Sequence, residues 1–228
     1  MKQISENIFY ADSVLKRFPT VFNIRMVVVK LPSGGLWLHS PILIDESLQA
    51  ELSGIGNVDH IIAPNCFHHM FAKQAKELYP DAVLWASPGL PTKRNDIEFD
   101  AVITEKEADW DETIGYEYVG GMRWINETVF LHKPSRTLIC SDFVFNIKEE
   151  KNLFMKLLWK LSGTYKKFGQ SREWRWMISN AFDNVDSVNR VLKWEFDRIV
   201  MAHGEIIDCN NVQLFDVIKN KGQNFYTD

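Results

Sequence analysis

The sequence is poor in the features that mark a secreted, membrane or nucleic-acid protein. Its three cysteines, Cys66, Cys140 and Cys209, are odd in number, widely spaced and contain no Cys-x-x-Cys pair. That excludes a disulfide framework and fits a reducing compartment. No apolar run is long enough to span a bilayer. Met1–Glu6 lacks the apolar block of a signal peptide, so a cytoplasmic location is expected. Excess positive charge is missing too: a net charge of -4 and a pI near 5.9 argue against general nucleic-acid binding. Internal repeats and low-complexity linkers are absent.

What is present is ordinary in bulk. The 228 residues are 46% hydrophobic and 25% charged, as in a soluble globular protein able to bury a substantial core. Eight Trp and fifteen Phe point to a core or a cleft rich in aromatic surface. One domain over 1–228 with a helical insertion at 148–177 is the simplest organisation.

The chain opens with a short strand at Asn7–Ala11. A stronger one follows at Asn23–Lys30, where Val27, Val28 and Val29 suit a sheet. Pro32-Ser33-Gly34-Gly35 turns the chain into Leu36–His39, predicting a hairpin. Ser47–Leu52 reads as a helix, His60–Ala63 as a buried strand stopped by Pro64 and Asn65. Phe71, Ala75, Leu78 and Tyr79 recur at helical spacing, and Ala82–Ala86 is again a strand. Helix, strand, helix, strand is the signature of a layered α/β fold. Pro91–Trp110 carries no clear pattern. Gly115–Val119, Thr128–His132 and Thr137–Cys140 read as strands, Arg198–Ala202 as another, with helices around Val185–Leu192 and Val212–Ile218. Lys148–Met177 stands apart, with eight basic residues against three acidic ones and Trp159, Trp174 and Trp176 interleaved.

Three strand ends carry polar groups: His68-His69, Asp142 and His203-Gly204. A mononuclear metal site needs three or four imidazole, carboxylate or thiolate donors brought together by the fold, and strand ends fix the backbone before each donor. Taken singly, each group has a plainer role: His68 as a cap, His69 in packing, Asp142 in a turn, His203 as a strand end.

The order of elements resembles the metallo-β-lactamase fold, whose members carry Thr-His-x-His-x-Asp-His opening a helix, an Asp closing a hairpin, and a late His-Gly pair. Ala63-Pro64-Asn65-Cys66-Phe67-His68-His69, Leu138-Ile139-Cys140-Ser141-Asp142-Phe143 and Val200-Met201-Ala202-His203-Gly204 fall at those places. Gly34-Gly35-Leu36-Trp37-Leu38-His39-Ser40-Pro41 and Ser135-Arg136-Thr137-Leu138 look like hallmarks of an uncharacterised metallo-β-lactamase-like family known only as a domain of unknown function. The resemblance implies an α/β fold, a four-layer αββα sandwich with 148–177 inserted as helices over one edge of the cleft.

The departures from the parent motif matter. Pro64 and Cys66 stand where two histidines of its first metal site would be, and the third falls near Met122. The resemblance therefore implies one retained site, with His68, His69, Asp142 and His203 around one divalent metal. Zinc suits these donors, with iron or manganese as alternatives. His39 and Glu127 are the candidates for moving protons. His60 and His132 read as structural, and Cys66 as a buried thiol rather than a further donor. The expected activity is metal-dependent hydrolysis of a small molecule that the sequence does not identify, with an anionic one as the candidate that the basic insertion suggests. The rival is a non-catalytic relative that binds through its pocket or its basic insertion, including contact with an acidic membrane surface.

Overall fold

The computed structural model describes residues 1–228 except 105–107, 109, 111 and 221–228. Two mixed sheets form. The first runs in the order β1 (Lys2–Ser5), β2 (Ile8–Arg17), β3 (Thr20–Lys30), β4 (Leu36–His39), β5 (Val58–Ala63), β6 (Val83–Ala86) and β7 (Ala101–Val102). Its first four strands pair antiparallel, and β4 through β7 pair parallel. The second is ordered β8 (Ile114–Tyr118), β9 (Thr128–His132), β10 (Thr137–Ile139), β11 (Arg198–Val200) and β12 (Ile207–Asp208). There β10 and β11 are parallel, and the other neighbours are antiparallel. The helices are α1 (Glu46–Ser53), α2 (Ala72–Leu78), α3 (Leu90–Lys93), α4 (Leu153–Ser162), α5 (Arg172–Met177), α6 (Ala181–Leu192) and α7 (Asn211–Asn220).

Strand alternation builds the layers, because successive side chains point to opposite faces. Val27, Val29, Trp37 and Ile62 from the first sheet share one apolar cluster with Ile114, Phe130, Ile139 and Val200 from the second. That cluster is the inter-sheet core. Met26, Val28, Leu36, Leu38 and Ile61 face the other way and meet Leu48, Leu52, Ala72 and Ala75 of α1 and α2. Val129, Leu131, Leu138 and Ile199 likewise meet Val188 and Val191 of α6 and Leu214 of α7. Helix, sheet, sheet and helix are therefore stacked in four layers, the αββα arrangement expected. Trp37, Trp85, Trp110 and Phe130 are almost fully buried and meet edge-on in the middle, each such pair contributing about 1 kcal/mol beyond its burial.

Sequence pattern understated the first hairpin. The expected strand Asn7–Ala11 continues to Arg17, and β2 and β3 pair in unbroken register from Ile8–Val29 to Arg17–Thr20. Beyond Ala11 the strand leaves the core, so its polar residues hide it from a hydrophobicity reading. Within 148–177 lie α4 and α5. Asn152 caps α4 by accepting the Met155 N–H, and Gly163 ends it in the left-handed region at φ 78°. Met155 and Trp159 pack with Phe145, Ile147 and Phe22, seating α4 on the β2–β3 hairpin. No helix among the described residues is long and apolar enough to cross a membrane.

The C-terminal ends of β4, β5, β10 and β11 lead into the segments that carry Ser40, His68, Asp142 and His203. The rim outside the carboxyl ends of sheet strands is where open α/β sheets place their ligands.

Candidate metal centre

Each of the three arriving loops is shaped by a buried polar residue. After β5, Asn65 is fully buried, and its Oδ1 accepts the backbone N–H groups of Phe67 (2.7 Å) and His68 (2.6 Å). The resulting turn delivers the His68 ring. The same side chain donates through Nδ2 to Glu127 Oε2 at 3.0 Å and to Asp142 Oδ2 at 2.9 Å. After β10, the N–H groups of Ser141, Asp142 and Phe143 all point at the Glu127 carboxylate, at 2.7–3.2 Å. After β11, Arg25 donates to the carbonyls of Met201 (3.0 Å) and Gly204 (2.9 Å), clamping the loop on both sides of His203. Gly204 sits at φ +100°, and an added Cβ would lie 2.3 Å from the Asn146 carbonyl oxygen.

These loops bring together His68, Asp142 and His203, whose ligand atoms all lie within 4.8 Å of one another. His68 Nε2 is 3.1 Å from His203 Nε2. His68 Nε2 to Asp142 Oδ2 and His203 Nε2 to Asp142 Oδ1 are both 3.5 Å. Donors bound tetrahedrally at about 2.0–2.2 Å stand roughly 3.3–3.6 Å apart, so the triangle has the size of a metal's coordination face. The outer nitrogens are held as well. His203 Nδ1 donates to the Asn23 carbonyl at 2.7 Å, which leaves Nε2 of the neutral ring with its lone pair toward the cluster. His68 Nδ1 pairs with Ser40 Oγ at 2.9 Å, and the Phe145 ring stacks on His203.

Electrostatics divide the two neighbouring carboxyl groups. Burial alone would raise Asp142, but the imidazoles, His68 foremost, outweigh it and hold the group well below the usual carboxylate range. Burial first, and the Asp142 charge second, push Glu127 up to about 8, against the N–H donors of Asn65, Ser141 and Asp142 that favour its anion. Asp142 therefore carries negative charge facing the two imidazoles, and Glu127 resists ionisation more than an ordinary carboxyl does.

Other residues singled out in the sequence lie elsewhere. His69 does not join the other three expected ligands: its Nδ1 meets Arg94 Nη1 at 2.9 Å, and burial, then Arg94 and Lys93, bring its pKa down to about 4. Adjacent residues leaving a strand diverge, so only one of the histidine pair faces the site. His39 stacks on Trp37 and meets the edge of Phe130 between the sheets, and neither of its ring nitrogens has a hydrogen-bond partner. Burial, then His68, lowers its pKa to about 3. Glu127 is completely buried as the anchor of the Asp142 turn, rather than lining a pocket. Cys66 is a buried thiol whose pKa burial raises. His132 bonds Ser135 Oγ at 2.7 Å in the β9–β10 turn. Ser40 and Asn65 entered the sequence reading only as strand ends within the motifs of the resemblance, with no role at the site, and Arg25 escaped it.

Above the three side chains opens a cavity of about 840 Å³, lined at its floor by His68, Asp142 and His203. The β2–β3 hairpin forms one wall, and α4 with α5 forms another.

Solved structures with this fold are metallo-β-lactamases. DIM-1 metallo-β-lactamase exposed to ceftazidime is 16% identical with a TM-score of 0.66, covering 96% of this chain and 94% of its own. The metallo-β-lactamase from Pontibacter korlensis is 12% identical at a TM-score of 0.65, covering 97% and 98%. That from Erythrobacter litoralis with β-mercaptoethanol in its active site is 10% identical at 0.66, covering 96% and 93%. Identities this low establish a shared fold. The search of curated proteins found no match. A family model does match, over residues 5–161, a span that includes His68 and Asp142 and ends before His203. The chain belongs to the family described as a domain of unknown function (DUF4336), a family member built on the metallo-β-lactamase fold.

Proposed function

We propose that this protein is a metal-dependent hydrolase with one divalent metal held by His68, Asp142 and His203. The observation that carries this reading is the donor triangle of 3.1, 3.5 and 3.5 Å at the floor of a cleft. Three protein donors leave a coordination position free, as in catalytic zinc sites, whereas the four-ligand set expected from sequence would have closed it. Two imidazoles and a carboxylate suit zinc, with iron or manganese as the alternatives. When bound, such a metal supplies Lewis acidity and lowers the pKa of water.

The chain's own residues do the rest. Asn23 and Ser40 fix the planes of the two rings, and Asn65 fixes Asp142. Phe145, Trp159 and Trp174 keep water from the sides of the floor. An anionic group on the substrate would find Arg17 and Arg172 at the cleft. His39 and Glu127, both without contact to the cleft, support the site from behind instead of handling substrate protons.

One observation favours a second reading. A separation of 3.1 Å between two Nε2 atoms also suits a direct imidazole–imidazole hydrogen bond. A metal-free binding protein would hold the same geometry. Elemental analysis of protein purified without added metal, followed by zinc titration near neutral pH, separates the two. About one metal per chain, lost in His203→Ala, supports the hydrolase. No metal before or after titration leaves the binding protein.

A further inference from the structure

The cleft above the three side chains is far more apolar than its floor. Its volume of about 840 Å³ is large for a ligand site. Leu15 and Phe22 of the hairpin and Met155, Leu158 and Trp159 of α4 together line its apolar sides, with Phe22 packed against the α4 residues. The apolar surface then continues outward. Leu161 and Trp176 line the cleft yet are 57% and 75% exposed. Beyond them Leu153 and Leu157 stand exposed on the same face of α4 as Leu161, since residues four apart align along a helix, while Met155 and Trp159 bury the opposite face. A soluble surface rarely spends four large apolar side chains on such a strip without a ligand to cover them. Cations border it: Arg17 and Arg172 line the cleft, with Glu173 the acid at its mouth, and Lys156 and Lys160 sit on α4.

We propose that the cleft takes an amphiphile with a long hydrocarbon chain and an anionic or polar head. The head lies at the His68–Asp142–His203 floor. The chain follows the wall that α4 and the β2–β3 hairpin form together and leaves past Leu161 and Trp176. A compact polar molecule would leave the apolar sides wet, and a compact apolar one would leave the outer strip uncovered. The proposal names the substrate class of the hydrolase reading and rests on that reading only for the fate of the head group.

Chain-length dependence of binding tests it without requiring metal. Calorimetric titration of the protein as purified with octanoate, decanoate and dodecanoate is expected to tighten the Kd about 3–4-fold per added methylene. Trp176→Ala, at an exposed position, is expected to weaken dodecanoate several-fold and leave octanoate nearly unchanged. His203→Ala should lose metal and shift the Kd of all three by a similar factor while keeping the increment per methylene, so failure of the metal reading and failure of this one are distinguishable. A Kd independent of chain length, or no binding by any of the three, overturns the proposal whether or not the protein holds metal. Co-sedimentation with vesicles containing phosphatidylserine distinguishes the source. Binding there places the amphiphile in a bilayer, and dispersal with binding of free dodecanoate places it in solution, both in keeping with the same chemistry.

Discussion

Asn65 and Glu127 meet through a hydrogen bond of 3.0 Å, and the same Asn65 amide reaches Asp142 at 2.9 Å. One side chain thus separates two buried carboxyl groups while its oxygen shapes the loop that presents His68. The site is organised from behind, by residues that do not line the cleft.

Asn65→Ala should therefore cost about 3 kcal/mol or more, since buried carboxylates lose a donor and two loop N–H groups lose their acceptor. Urea unfolding measures it. Asn65→Asp should be at least as damaging. It keeps the loop acceptor but places a third carboxyl beside Glu127 and Asp142. If Asn65→Asp is the milder change, Asn65 serves only the turn.

Metal retention should sort the histidines differently from what the sequence alone suggests. His68→Ala and His203→Ala should each abolish stoichiometric metal. His69→Ala should keep it, because that ring faces Arg94. Ser40→Ala, which frees the outer nitrogen of His68, should weaken affinity about 10-fold or more. Competition with a chromogenic chelator reads all four. Loss of metal in His69→Ala equal to that in His203→Ala would return His69 to the ligand set.

The four-layer fold was legible because β-branched runs, glycine turns and helical spacing alternate cleanly from Leu36 to Ala86. Asp142 and His203 were legible as strand ends placed in the family's order. His69 was not separable from His68, since sequence gives adjacency and the turn made by Asn65 gives direction. Glu127 drew attention as a lone acid near the site, yet its role depends on three N–H groups of a loop fourteen to sixteen residues away. The outer half of β2 stayed hidden because Asp12, Ser13, Lys16 and Arg17 leave only Val14 and Leu15 apolar there, too few to show a strand's alternation.

Gly204→Ala tests how tightly the His203 loop is held. The backbone is left-handed at φ +100°, and the new Cβ would collide with the Asn146 carbonyl. A cost of at least about 2 kcal/mol is expected, and in a chain of this size that lowers Tm by roughly 4–8 °C. Metal affinity should fall with it, since His203 precedes the strained position directly. An unchanged Tm would mean that the loop moves freely, against the clamp that Arg25 forms on Met201 and Gly204.

Acid sensitivity should come in part from His132, remote from the cluster. Burial lowers its pKa from 6.5 to about 4. Above pH 6.5 the ring is neutral in the folded and the unfolded chain, so it contributes no pH dependence. Below that, the unfolded chain takes up the proton while the folded one refuses it until about pH 4. Stability is therefore lost as pH falls through this window, by about 2 kcal/mol at pH 5 from this ring alone. His39 and His69, lowered to about 3 and about 4, add to the slope in the same direction. Urea unfolding of His132→Asn with metal chelated, between pH 7 and 5, should show a shallower decline than the parent chain. Because His132 bonds Ser135 Oγ at 2.7 Å, the variant should also be less stable at pH 7, which separates loss of packing from loss of titration. A parallel pair of curves, offset but equal in slope, would show that the ring accepts its proton without unfolding.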